Sequence, residues 1–124
     1  MANYLQVTTA TPSRAEAERL ARLAVESRLA AAVHVIGPIH STYRWRGAVH
    51  EEQEWLCVAR TVEARLQRLA ELIAAEHPYE VPEISAVPIT HGSPAYLDWI
   101  GQETAPAEPG QSSPAGSSSS ERVR

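Results

Sequence analysis

Two prolines four positions apart, in His77-Pro78-Tyr79-Glu80-Val81-Pro82-Glu83-Ile84, constrain this chain more than any other feature. Each locks its own φ and biases the residue before it, His77 or Val81, toward extended geometry, so a helix arriving from the N-terminal side must end and a stiffened loop must begin. Pro88-Ile89, Gly92 and Tyr96-Leu97-Asp98-Trp99-Ile100 continue the segment. A second unusual block, Ser41-Thr42-Tyr43-Arg44-Trp45-Arg46-Gly47, stands ahead of Glu52, Glu54 and an apolar run at 56–59.

Periodicity around these blocks gives the order of elements. Residues 4–9 read as a short first strand. Pro12 and Ser13 then open a helix, with Ser13 and Glu16 at capping-box spacing. Ala17, Leu20, Ala21, Ala24 and Val25 recur at helical intervals, while Arg14, Glu18, Arg22 and Glu26 take the opposite side. Residues 31–43 turn β-rich and are broken by Gly37-Pro38, which predicts a bulge or kink in a long strand. Gly47 marks the reversal into a third strand over 49–61. A second helix spans about 62–76, with Leu66, Leu69, Ala70, Ile73 and Ala74 on one face, and Pro78 stops it. Residues 83–88 read as a fourth strand. A short C-terminal helix over 94–102 follows, with Ser93 as its N-cap and Pro94 in its first turn. The sequence therefore predicts an α+β fold, a ferredoxin-like β-α-β-β-α-β sandwich with both helices on one face of the sheet.

The other face then needs a polar surface or a partner. The second and third strands are long for a chain of this size, and Tyr43, Trp45 and Trp55 lie on them. Tyr and Trp combine a large apolar area with a polar handle and favour contacts between chains, so self-association through the sheet is expected.

Together the two blocks resemble the CutA family of divalent-cation-tolerance proteins, from about Tyr4 to Ile100. The resemblance implies a homotrimer in which long strands pair between subunits, similar in outline to the PII signalling proteins, and a role in the response to metal ions. Copper-binding members carry a cysteine late in the first strand and two successive histidines before the Pro-Tyr pair. The matching positions here are Thr9, Glu76 and His77, so the thiolate is absent and one imidazole has become a carboxylate. A further frequent family cysteine is Ala32 here. Glu76 and His77 remain as candidate ligands for weak binding of Cu(II), Zn(II) or Ni(II), since Cu(I) prefers sulfur. The resemblance also implies a ligand cleft at a subunit boundary, built from Tyr43, Trp45, Glu54, Arg60 and Tyr79, with Glu83 close by. Arg60 stands where lysine is usual, which keeps the charge but not a nucleophilic amine. An aromatic, acid and cation cluster suits a small anionic or polar ligand. Equally, Tyr43 and Trp45 read as interface packing and Glu54 with Arg60 as an ion pair. A PII-like trimer that binds a small effector in such clefts and signals through a protein partner is the alternative function.

Composition narrows the remaining classes. Of 124 residues, the segment 104–124 contains Pro106, Pro109, Pro114, Gly110, Gly116 and the serine run 117–120, with Val123 its one large apolar residue. It is expected to be a disordered tail, leaving residues 1–103 as the single folded domain. All 11 basic residues are Arg, the formal charge is −4 and there is no basic run, which excludes a nucleic-acid or anionic-membrane partner. No stretch is apolar enough to span a bilayer and the N-terminus has no secretory pattern, so a cytoplasmic protein is expected. The one cysteine, Cys57, excludes an intramolecular disulfide framework and reads as a small buried hydrophobe. His34, His40, His50 and His91 have no metal-motif spacing. Nothing supplies a nucleophile with an adjacent base, a phosphate loop or a dinucleotide fingerprint, and no enzyme is expected.

Overall fold

The computed structural model describes residues 3–106. It contains β1 (Tyr4–Thr11), α1 (Arg14–Glu26), β2 (Ala32–Trp45), β3 (Ala48–Val62), α2 (Glu63–Glu76), β4 (Ser85–Pro88) and α3 (Pro94–Glu103). The four strands form one sheet in the order β2-β3-β1-β4, with every neighbouring pair antiparallel. No helix among the described residues is long and apolar enough to cross a membrane.

Alternation along β1 separates the two faces. Leu5, Val7, Thr9 and Thr11 are buried and stand opposite Thr61, Ala59, Cys57 and Trp55 of β3. The core lies on this side, where Ala17, Leu20 and Ala24 of α1 and Leu69 and Ile73 of α2 meet the strands. Ser13 caps α1 as its spacing predicts, accepting from the Glu16 backbone N–H at 3.1 Å, and Ser93 caps α3 through the Tyr96 N–H. Val25 and Ala74, expected on the packed faces of α1 and α2, are exposed, each lying at the margin of its helix's apolar stripe.

β1 is only 8 residues long and spans residues 55–62 of β3. The part of β3 nearer the turn pairs with β2 alone, so the β2–β3 hairpin projects beyond the sheet as a two-stranded ribbon. Its turn is Arg46-Gly47, with φ of 51° and 81° between the Trp45 and Ala48 pair. Positive φ at both central residues is the two-residue turn whose twist matches a hairpin.

The expected bulge is present. Register jumps from Ile36 opposite Leu56 to Ile39 opposite Glu54, so β2 carries one residue more than β3 at this point. An extra residue reverses which side chains face which way. Before it, Val33 and Val35 face the helices; after it, Ser41, Tyr43 and Trp45 share the opposite face with Glu52 and Glu54. Gly37 is required here, because a Cβ would lie 2.7 Å from Trp55 Cγ.

The folded part extends beyond 103. Thr104 is buried and donates its hydroxyl to the Ile100 carbonyl, while the Arg28 guanidinium donates to the Gln102 and Ala105 carbonyls at 2.8 and 2.7 Å. The first residues assigned to a tail are thus packed against the domain. The rest of that segment, from 107 onward, lies outside the described residues.

Candidate functional site

The Pro-Tyr loop is held in place by His77. Burial of its ring leaves two backbone bonds: Nε2 meets the Ala10 carbonyl at 2.8 Å, and Nδ1 accepts from the Tyr79 N–H at 3.1 Å. A carbonyl accepts only, so the proton is on Nε2 and the ring is the neutral tautomer. Burial lowers the His77 pKa below the ordinary 6.5, overriding the opposing pull of the Ala10 carbonyl, Glu16 and Glu54. Glu76, next to it, accepts from Arg19 through both its carboxylate, at 2.7 Å, and its carbonyl, at 2.8 Å. Both His77 nitrogens are therefore engaged, and Glu76 would share its carboxylate between Arg19 and a metal. Among the described residues no three His, Cys, Asp or Glu side chains converge as a cation site. Thr9, at the matching position on β1, is buried with an unpartnered hydroxyl opposite Cys57, and burial raises the Cys57 thiol to about 11.

With the loop so anchored, Tyr79 leans toward the far face of the sheet. Its hydroxyl donates to the Glu54 carboxylate at 2.7 Å. Burial first, and then this bond, pushes the Tyr79 pKa upward, so the hydroxyl stays a donor through the neutral range. Glu54 is only 8% exposed, although it sits on the helix-free face. Between loop and hairpin lies a cavity of about 490 Å³ lined by Ser41, Tyr43, Trp45, Glu54, Tyr79 and Glu83, together with Ala10, Thr42, Glu80 and Val81. Tyr43 stacks on His50, ring centroids 5.4 Å apart, and donates to Glu52. Arg46 at the hairpin tip spans the mouth of the cleft: its guanidinium is 5.1 Å from the Trp45 ring centroid and 2.6 Å from Glu80.

The structure thus gathers Tyr43, Trp45, Glu54, Tyr79 and Glu83 into one cleft and leaves one expected member, Arg60, out. The candidate metal ligands His77 and Glu76 are not part of its lining. Arg60 lies further along β3, roughly 20 Å from Glu54 at about 3.3 Å per residue, and donates to Gln6 at 3.0 Å. Glu54 and Arg60 do not form an ion pair. Removal of Arg60 also reverses the expected charge preference, since the lining carries Glu54, Glu80 and Glu83 and no basic side chain. Glu80 was the member that the sequence hid. It stands inside the Pro-Tyr motif, but its partner Arg46 is 34 positions away.

An antiparallel four-stranded sheet with a projecting hairpin, helices packed on one face and a cleft under a proline-bounded loop defines a class of small α+β domains. The chain belongs to the CutA1 divalent ion tolerance protein family, whose match covers residues 5–103. It is 43% identical over 98 residues to the divalent-cation tolerance protein CutA of Thermus thermophilus, covering 79% of this chain and 95% of that one. Protein CutA of Mus musculus is 41% identical over 93 residues, covering 75% of this chain, which spans about half (52%) of the mouse protein. The solved structure of the Thermus thermophilus protein superposes with a TM-score of 0.80 at 41% identity, over 82% of this chain and 99% of that one.

Proposed function

We propose that this chain acts in divalent-cation tolerance as a cytoplasmic homotrimer of ferredoxin-like subunits, that it catalyses no reaction, and that it holds divalent ions such as Cu(II) weakly rather than in a closed cage. The projecting β2–β3 ribbon carries the reading. A two-stranded ribbon is marginal in water by itself, and this one exposes Tyr43, Trp45 and Val49. On the same side of the sheet as the two aromatics, Ile36 and Val87 are 49% and 52% exposed. A second and third copy laid against this ribbon bury that surface and satisfy the edge of β2.

Weak metal binding follows from the state of the candidate ligands. A cation taken by His77 must first displace a backbone N–H or carbonyl, and one taken by Glu76 must compete with Arg19. Exposed pairs such as His40 with Glu51, 2.9 Å apart, offer looser contacts that rank metals by the general preference for copper.

Sedimentation velocity tests the assembly, and a compact monomer at micromolar concentration overturns it. Titration calorimetry with Cu(II), Zn(II) and Ni(II) tests the metal reading: tight, selective binding lost in His77→Ala contradicts it. Disruption of the gene is expected to lower growth in excess copper, and unchanged tolerance removes the role.

A further inference from the structure

We propose that the cleft between the β2–β3 hairpin and the Pro-Tyr loop binds a small organic cation, an amine or a guanidinium carried on an apolar frame. The inference is independent of the metal role; because the proposed assembly covers the ribbon that carries Tyr43 and Trp45, it rests on the cleft staying open between the assembled copies.

Glu54 is the first reason. It is nine-tenths buried, yet among the described residues no Arg or His forms an ion pair with it. Its bonded neighbour is the Tyr79 hydroxyl, a neutral donor on one of its two oxygens. A carboxylate taken out of water is costly to hold with one neutral partner, and a cation arriving in the cavity offsets that cost. Glu83 lines the same cavity, while Glu80 is already neutralised by Arg46.

The walls decide what sort of cation. Tyr43, Trp45 and Tyr79 surround a cavity of about 490 Å³, a volume that matches small-molecule pockets and far exceeds a bare ion. Aromatic faces attract ammonium and guanidinium groups and gain nothing special from a chelated metal. A metal would need converging ligands, and no group of three exists among the described residues. The rim already displays the chemistry, for Arg46 places its guanidinium over Trp45 while bonding Glu80. An external ligand would repeat that pairing one layer deeper, with Tyr43 and Tyr79 as the faces and Glu54 as the counter-ion.

The test uses the full chain in its native assembly and four probes of one shape: benzylamine and phenylguanidine as cations, benzyl alcohol and benzoate as neutral and anionic controls. Saturation-transfer NMR and calorimetry are expected to detect the two cations and neither control. Glu54→Gln should weaken cation binding about tenfold, the scale of one lost charge contact of roughly 1.4 kcal/mol. Because that variant risks misfolding, Glu83→Gln at an exposed position is the second arm, expected to weaken binding several-fold with an unchanged melting temperature. Equal binding of the controls, binding indifferent to both glutamates, absence of cation binding to the folded assembly, or displacement of benzylamine by stoichiometric Zn(II) each overturns the proposal.

Discussion

The Tyr79 hydroxyl donates to the Glu54 carboxylate at 2.7 Å, tying the Pro-Tyr loop to the middle of β3. Tyr79→Phe keeps the ring and removes the donor, leaving a buried carboxylate without it. A loss of about 1–3 kcal/mol is expected in denaturant unfolding, the range for a hydrogen bond to a charged group. In an ultraviolet pH titration, one tyrosine of the wild type should resist ionisation well past the ordinary 10 and lose that resistance on unfolding. A variant as stable as wild type would show that the bond is incidental.

His77 predicts a pH dependence with a definite sign. Its pKa is lowered in the folded state, so the unfolded chain takes up the proton first and the folded state loses ground on acidification. Its contribution is complete above the ordinary 6.5 and is lost as pH falls through the lowered folded value. Protonation would also place a donor at Nδ1 against the Tyr79 N–H. Melting temperature followed from about pH 7.5 to about pH 5 should fall more steeply in wild type than in His77→Gln, where no such proton is bound. Parallel curves would remove His77 as the cause.

Gly37→Ala probes the bulge. The new methyl meets the Trp55 ring, 2.7 Å from Cγ, and also the Glu54 carbonyl at 3.0 Å. Trp55 is held between the strands and the α1 side of the core, so it has little room to yield. Destabilisation of roughly 1–3 kcal/mol, typical of overpacking, is expected in chemical denaturation. An unchanged midpoint would show that the ring moves freely.

Thr9→Val should act in the opposite direction. The Thr9 hydroxyl is buried without a partner beside an apolar void of about 20 Å³. Val keeps the shape, suits a strand and removes a desolvated hydroxyl, so a gain of up to about 1 kcal/mol is expected. A lower melting temperature would reveal a partner for the hydroxyl, such as an ordered water.

The order of elements was legible because periodicity and punctuation agreed: Ser13 and Ser93 cap the helices they precede, Pro78 follows the end of α2, and Gly37-Pro38 lies at the bulge. Cleft membership was legible for Tyr43, Trp45, Glu54, Tyr79 and Glu83, which belong to two recognisable blocks. What was not legible has one physical origin. Position in a motif says which residues are present but not which distant backbone atom will claim a side chain first. His77 is taken by Ala10, 67 positions earlier, Glu76 by Arg19 and Arg60 by Gln6. Each of those pairings depends on strand register and helix placement, and those are settled only when the sheet closes.

The extra residue at Gly37-Pro38 makes the outer ribbon a matter of phase. Everything in β2 beyond it is turned by half a pleat relative to everything before. Straightening the bulge with every residue retained would carry Tyr43 and Trp45 to the opposite side and bring Thr42 and Arg44 into their place, whereas deleting one of the two residues would leave Ile39 opposite Glu54 and the aromatics on their present face. The sheet's inner half, packed on α1 and α2, would keep its register throughout. Whether the strand absorbs its extra residue as a bulge thus selects between two recognition surfaces mounted on one unchanged core.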